Sequence, residues 1–523
     1  MRVAVYNAHW ATLGGGEQQA GGVATALAND HDVELLVDEP FDAIEASERL
    51  GFDLTPFLQR EVEPGTRPFL DATADYDLLV NSSFSSTRAN RAERAIYYVQ
   101  FPIPHPALDR RRELLELARP DPLDRWIDRE RGFWLREFPG YGCWTAGDAT
   151  LVLPLPRGVE LPFSMRLGAG VWPPGLTPHA RVELDGRTLF EDDLDPRRSV
   201  TVAAPVLGRG VDDPLVVRIT SDTFVPRVAR GNDDDRTLGV VVSHVRLGPR
   251  LPGLRRGELA RLRQLHALRF VTEFLDSYEQ IVANSPYTAR WVERLWGRSA
   301  AYVAPPVRLR SPGEKARVIL SVGRFFPASS GHSKKQVELI EAFRIACAEG
   351  LRDWELHLVG GCKDVDRAYA EEARKAAVGL PVRFHINARG EDVADLFAKA
   401  QLFWHAAGFG EDVARHPDRL EHFGITAVEA MSAGAVPLVH AEGGPAAIVD
   451  DAGCGRTYRT LDELATQTIE LVARPDELDR LARRAVDAST RYAYDEFATR
   501  FLAVVDETLA LPGRARVADS GRR

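Results

Sequence analysis

Apolar and polar positions along the chain fall into three regimes. Residues 2–8 read as a buried strand, and beyond Gly14-Gly15-Gly16-Glu17 the positions Ala20, Val23, Ala24, Leu27 and Ala28 recur at helical spacing. Strands are predicted again at 31–37, 76–81 and 95–99; strand, glycine turn, helix and strand open a doubly wound α/β unit. From about Gly132 to Gly248 the helical period vanishes. Short β-type segments at 149–155, 162–167, 180–184, 199–203, 215–219 and 239–247, punctuated by Pro, Gly and Asp, have the spacing of a β-sandwich. A helical pattern resumes at Glu258 and runs through Leu275, then come a strand at 280–285 and a helix carrying Trp291, Leu295 and Trp296. Past Val303-Ala304-Pro305-Pro306-Val307 and a polar stretch to Lys315, a second α/β series has strands predicted at 318–322, 355–359, 382–386, 401–405 and 435–439, with helices over 461–508.

The pattern predicts two Rossmann-like doubly wound domains with an all-β sandwich inserted in the N-terminal one. The expected boundaries are 1–131 with 249–304 for the first domain, 132–248 for the insert and 305–490 for the second domain. A C-terminal helix at 491–510 is expected to cross back to the first domain, ahead of a disordered tail at 511–523.

Composition narrows the class. A hydrophobic content of 45% and a charged content of 27% belong to an ordinary water-soluble chain, and no window approaches the roughly 18 consecutive apolar residues of a membrane span. The N-terminus enters a strand directly, so the expected location is cytoplasmic. A formal charge of −10 disfavours nucleic acid as a partner. Cys143, Cys347, Cys362 and Cys454 are too scattered for a disulfide framework or a structural zinc site. Arg110-Arg111-Arg112 beside Leu114, Leu115 and Leu117 reads first as a solvated helix face, with peripheral contact to a membrane as the alternative. Lysine occurs only at 315, 334, 335, 363, 375 and 399, so the pair Lys334-Lys335 stands out from a background of arginine.

The chemistry concentrates in Glu421-His422-Phe423-Gly424-Ile425-Thr426-Ala427-Val428-Glu429, where a glycine before a helix separates a loop carboxylate from a helical one. Arg324 follows the strand at 318–322, and Lys334 follows the glycine- and serine-rich loop 329–333; a planar fork and a mobile ammonium together suit a diphosphate. Gly15 and Gly16 offer backbone N–H groups at a helix start, or else form a plain turn. Gln100 and His105 lie in Gln100-Phe101-Pro102-Ile103-Pro104-His105, at the carboxyl end of a strand, where open α/β sheets bind ligands. Asp364-Val365-Asp366 reads as a helix start and not as a metal site, and Asp233-Asp234-Asp235 as a solvated turn.

These pieces, with Ile281 to Ser285, Thr288, Pro305-Pro306-Val307, Val322-Gly323-Arg324 and Gly443-Gly444-Pro445, resemble the GT-B glycosyltransferases of family 4 over about 400 residues, and most closely bacterial relatives of the dolichol-pathway α1,2-mannosyltransferases. The resemblance implies a retaining, metal-independent hexosyltransferase with no cofactor. It would take a nucleotide-sugar donor, GDP-mannose first and a UDP-hexose second, and a glycan or lipid-linked oligosaccharide acceptor. It assigns Arg324 and Lys334 to the diphosphate, with Lys335 a near second in the position of a family glycine. Glu421 goes to the transferred sugar, Glu429 to the ribose hydroxyls, the backbone of Phe423, Gly424 and Ile425 to sugar and phosphate, and Gly443 and Gly444 to further backbone donors. Gln100 stands where many relatives have histidine, and glutamine cannot carry a proton. A nucleotide-sugar epimerase of the same architecture, or a glycan-binding scaffold with a degenerate site, is the competing reading. Trp134, Tyr141, Trp144 and Trp172 of the insert are read as core aromatics first and as sugar-stacking rings second.

Overall fold

The computed structural model describes residues 1–102, 128–134, 142–155, 157–158, 160–173, 175–196, 198–230, 234–247 and 273–514. Its strands, in chain order, begin with Arg2–Tyr6 (β1), Asp32–Val37 (β2), Leu58–Glu61 (β3), Leu78–Asn81 (β4) and Arg94–Val99 (β5). Next come Asp128–Phe133 (β6), Cys143–Leu153 (β7), Glu160–Gly168 (β8), His179–Leu184 (β9), Arg187–Asp193 (β10), Ser199–Leu207 (β11), Leu215–Ser221 (β12) and Val241–Leu247 (β13). Gln280–Ala283 (β14) and Ala301–Tyr302 (β15) precede Ala316–Val322 (β16), Glu355–Gly360 (β17), Val382–Ile386 (β18), Ala400–His405 (β19), Val436–His440 (β20) and Arg456–Tyr458 (β21).

The first sheet is parallel, in the order β15-β14-β5-β4-β1-β2-β3. β4 and nearly all of β5 are buried, as continuous apolar runs in a parallel sheet covered on both faces must be. One face packs Val3, Val5 and Leu35 against the helix Gly15–Leu27 and against Phe497, Phe501 and Val505 of the C-terminal helix Tyr494–Ala510. The Tyr98 ring stacks on Phe497 and Phe501 at 6.5 and 5.9 Å, so the last helix belongs to the first core. The second α/β sheet is also parallel, in the order β18-β17-β16-β19-β20-β21, with Leu356, Leu358, Leu402 and Trp404 at the centre of its core.

Between β5 and β14, which are neighbours in the first sheet, the chain makes an antiparallel path, β10-β9-β12-β7-β13-β8-β11, with β6 on β7. β7 joins the two halves: Cys143 and Trp144 pair with β13, and Asp148 to Leu153 pair with β12. Leu151, Phe163, Met165, Val182, Val217 and Val242 share one core, and β8 and β11 alternate buried with exposed positions. This unit touches the first domain through Arg91, whose Nε donates to the Asp212 carbonyl, and through Val211 in that domain's core.

Gly15 and Gly16 stand at a helix start, in its first turn, where Glu17 accepts from the Gly14 N–H at 2.8 Å and the Thr12 hydroxyl at 2.6 Å. Other expectations need correction. β3, β6, β10 and β21 had no apolar alternation to announce them; β3 is Leu-Gln-Arg-Glu and β10 is largely exposed. Residues 511–514 of the expected disordered tail are held by charge, with Arg514 pairing with Glu279 at 2.8 Å and its N–H donating to the Glu93 carbonyl. Most of the helical pattern from Glu258 to Leu275 lies outside the described residues, as do His105, Tyr141 and Arg110 to Arg112.

The linker is pinned at both ends. Val307 N–H donates to the Tyr492 carbonyl, and the Lys315 ammonium donates to the carbonyls of Ala398, Ala400 and Ala433, burial pushing its pKa down to about 8. At the other end a Cβ on Gly22 would stand 2.5 Å from Pro306 Cγ, with Phe497 and Phe52 close behind. Gly22→Val is therefore expected to cost about 1–3 kcal/mol in urea denaturation, whereas Gly390→Ala, which meets open space, stays near wild type.

Candidate functional site

The loops after β16, β19 and β20 leave the carboxyl edge of the second sheet together. Gly424, at a φ of 101°, starts the helix Ile425–Ser432; a Cβ there would sit 2.6 Å from Pro445 Cγ, so the left-handed backbone and the close approach both call for glycine. Gly444 donates its N–H to the Glu421 carbonyl at 2.8 Å, and a Cβ on Gly443 would meet that same oxygen at 2.6 Å. The expectation that Gly443 and Gly444 supply ligand donors is thus corrected for Gly444: its N–H is used to dock one loop on the other.

Glu421 sits largely buried between Lys334 and His405. Lys334 Nζ donates to Glu421 Oε2, and His405 Nε2 reaches the same oxygen at 3.1 Å. Burial pushes the Glu421 carboxyl up, but the ammonium and the His405 bond outweigh it and hold the carboxyl well below its ordinary range. A Cβ on Gly323 would strike Lys334 Cγ at 2.4 Å, so the glycine after β16 opens the path by which Lys334 reaches Glu421. Arg324 is exposed, its guanidinium 5.4 Å from the Phe326 ring centroid and with no carboxylate partner among the described residues. His332 lies by the same loop, held neutral by burial and then by Lys334, with its pKa down to about 4.

The structure separates the two neighbouring lysines. Lys335 has a φ of 58°, the left-handed value suited to a glycine, and its ammonium donates to Glu411 at 2.8 Å. With 8% of that side chain exposed, the Lys335–Glu411 pair ties the start of the helix Gln336–Ala348 to the 406–420 loop, so Lys335 is corrected from ligand contact to structural anchor.

Glu429 lies on the second turn of its helix and is bound by a residue that sequence reasoning did not select. Arg310 donates from Nε at 3.0 Å and from Nη2 at 2.6 Å to Glu429 Oε1. His405 was likewise missed. Neither had a local signal: Arg310 stands 119 residues from Glu429, and His405, 16 residues before Glu421, read only as the end of a strand.

The first domain forms the facing wall. Gln100 donates from Nε2 to the Ser82 carbonyl at 3.1 Å, and a Cβ on Gly16 would fall 2.3 Å from that nitrogen. A Cβ on Gly15 would meet Ile425 Cδ1 at 2.8 Å, so the glycine helix start touches the E-x7-E helix start directly. Ser285 donates to the His422 carbonyl at 2.5 Å, Tyr287 to the Pro417 carbonyl at 3.0 Å, and His422 stacks on Phe101 with centroids 4.1 Å apart. Phe423 turns its side chain away into the core against Tyr492, leaving only its backbone on the cleft side.

Other expectations resolve locally. Asp364 pairs with Arg367 at 2.8 Å ahead of the helix Arg367–Ala376. Asp234 is bound by Arg236. Trp134 and Trp172 donate their indole N–H groups to the carbonyls of Thr237 and Gly239, and Trp144 and Trp172 pack on Phe224. Among the described residues no group of three or more His, Cys, Asp or Glu side chains is arranged to hold a metal, and no helix is long and apolar enough to cross a membrane.

Residues 310–487 match the profile of the family described as Glycosyl transferases group 1. The GDP-Man:Man(3)GlcNAc(2)-PP-Dol alpha-1,2-mannosyltransferase of Dictyostelium discoideum is 25% identical over 254 residues, covering 44% of this chain and 48% of that protein. The enzyme of the same name from Neurospora crassa is 26% identical over 275 residues, covering 45% and 46%. The chain thus spans about half the length of the curated relatives it matches. The crystal structure of Anabaena HepE in complex with UDP aligns over 97% of this chain and 100% of its own, with a TM-score of 0.51 and 12% identity. A glycosyltransferase from Rickettsia africae gives 0.51 at 9% identity, over 97% of this chain and 98% of its own. The two-domain GT-B fold is what these structures share with the chain.

With its native carboxyl pKa depressed, Glu421 adds stability that is fully present above the unfolded-state value of about 4.3 and is lost as pH falls through the native value. Glu421→Gln, which leaves Lys334 without its carboxylate, is expected to lose on the order of 2 kcal/mol at pH 7. In urea denaturation that gap should narrow toward pH 3; a gap independent of pH refutes the ionic account.

Proposed function

We propose that the chain is a retaining hexosyltransferase that moves mannose from GDP-mannose, or a hexose from a UDP-sugar, to a glycan or lipid-linked oligosaccharide. The observation that carries the reading is the meeting of Lys334 and Glu421 beside Arg324, at a helix start pressed against the glycine turn of the opposite domain. A nucleoside diphosphate leaving group needs cations at the point where its charge develops. Arg324 and Lys334 would supply them. Donor binding would draw Lys334 from Glu421 toward the phosphates and free the carboxylate to accept from hydroxyls of the transferred sugar. Glu429 would accept from the ribose hydroxyls.

In this reaction the bond from the anomeric carbon to the phosphate oxygen breaks, and a bond to the acceptor oxygen forms on the same face. The acceptor's proton passes to the departing phosphate. No protein base is required, which suits Gln100: its amide can bond to a sugar and cannot take a proton. Two cationic side chains at the diphosphate likewise fit a route that needs no divalent ion. The mannosyl preference follows from the names of the curated relatives, and the UDP-sugar alternative from the nucleotide bound in HepE. We read the antiparallel unit as a β-sandwich inserted in the first Rossmann-like domain, and the enzyme as acting on the cytoplasmic side, at the membrane surface when its acceptor is lipid-linked.

Thermal-shift titration with GDP-mannose and UDP-glucose tests donor use. The unfolding temperature is expected to rise with the logarithm of ligand concentration above Kd for one of them, and no shift with either sinks the reading. Lys334→Ala is expected to lower transfer about 100-fold or more with the fold intact. Lys335→Ala should lose stability, through Glu411, while keeping most of its turnover; equal loss of transfer in both variants contradicts the assignment.

A further inference from the structure

We infer that Arg310 is a positioning residue for donor binding: it holds the Glu429 carboxylate charged, and turned so that one oxygen is left for the two ribose hydroxyls. The inference rests on the reading of Glu429 as the ribose acceptor. Both Arg310 bonds fall on Oε1, and among the described residues no donor is bound to Oε2. Arg310 is itself fixed on three sides. Its backbone N–H donates to Ser432 Oγ at 2.8 Å, that hydroxyl donates to the Glu429 carbonyl at 2.8 Å, and the guanidinium lies 5.6 Å from the centroid of the Phe397 ring. Linker and helix are thereby locked in the one register that brings guanidinium and carboxylate together.

The lock has an electrostatic purpose. With 11% of its side chain exposed, Glu429 is pushed up in pKa by burial, and only Arg310, and more weakly Arg308 from the same linker, act against that push. Phe397 and Ser432, which pack against the pair from the neighbouring elements, are neutral. Removing the guanidinium leaves a buried carboxylate with only the weaker field of Arg308, and its pKa rises further. A protonated carboxyl has become a donor on one oxygen and no longer suits two hydroxyls that must both donate.

The test is isothermal titration of the full chain with GDP-mannose from pH 6 to pH 9, on wild type, Arg310→Gln and Arg310→Lys. Wild type should bind with little pH dependence. Arg310→Gln should bind more weakly at pH 6, roughly tenfold for each unit by which the Glu429 pKa comes to exceed 6, and regain affinity toward pH 9. Arg310→Lys, which keeps the charge, should keep a flat profile at somewhat reduced affinity, and it carries the test if the glutamine variant fails to fold. A loss that is the same at every pH in Arg310→Gln, a rising profile in Arg310→Lys, or no loss in either, overturns the inference. Should wild type bind neither GDP-mannose nor UDP-glucose, it is the proposed function that fails, and thermal unfolding still judges Arg310. A carboxyl whose native pKa exceeds its unfolded value loses its contribution as pH rises. Arg310→Gln should therefore fall further below wild type with rising pH, and adding Glu429→Gln should remove that slope; a difference independent of pH overturns the inference.

Discussion

The site depends on keeping two carboxylates charged where water scarcely reaches them. Burial pushes the pKa of both Glu421 and Glu429 up; the net shift is downward for Glu421 and stays upward for Glu429. Each is met by a cation brought from elsewhere in the chain: Lys334 from the loop after β16, and Arg310 from the interdomain linker. The two solutions differ in kind. An ammonium on a flexible stem is a point charge that can change partners, whereas a guanidinium fixed by its own backbone, Ser432 and Phe397 is built to stay. Glu421 therefore has a partner on a mobile stem, which on the proposed function could be exchanged for a donor phosphate, and Glu429 has a fixed one.

That constraint explains why small residues crowd the loops. Gly323 clears the path of Lys334, Gly424 turns the backbone under Pro445, and Gly443 with Gly444 lets a second loop lie on the Glu421 carbonyl. A side chain at Gly323 would displace the Lys334 side chain, and one at Gly424, Gly443 or Gly444 would press on Pro445 or on the 421–423 backbone. The same economy of space reaches across the cleft, where Gly15 accepts Ile425 and Gly16 accepts the Gln100 amide.

Much of this was legible in the sequence because the α/β pattern is periodic and the E-x7-E segment is local. The central strands of both parallel sheets are apolar runs, and Lys334 stood out in a chain poor in lysine. Lys335 shows where local reading ends: only a backbone φ of 58° and a bond to Glu411 distinguish it from its neighbour. Arg310 was one arginine among many, and its meaning comes from a helix more than a hundred residues away in sequence. The short strands β3 and β10 were hidden because edge positions need no apolar alternation, pairing being supplied by their neighbours.

The two walls of the cleft are electrically unlike. Arg324, Lys334, Glu421, Arg310 and Glu429 all belong to the second domain or the linker attached to it. The facing wall offers the Gly15 and Gly16 backbone and the Gln100 amide, while its carboxylate, Glu17, is turned inward to Thr12 and Gly14. On the proposed function, a charged nucleotide sugar would draw most of its electrostatic binding from the second domain and the linker attached to it. On that reading, the groups described on the facing wall, backbone and amide, would select an acceptor by shape and hydrogen bonding and not by charge.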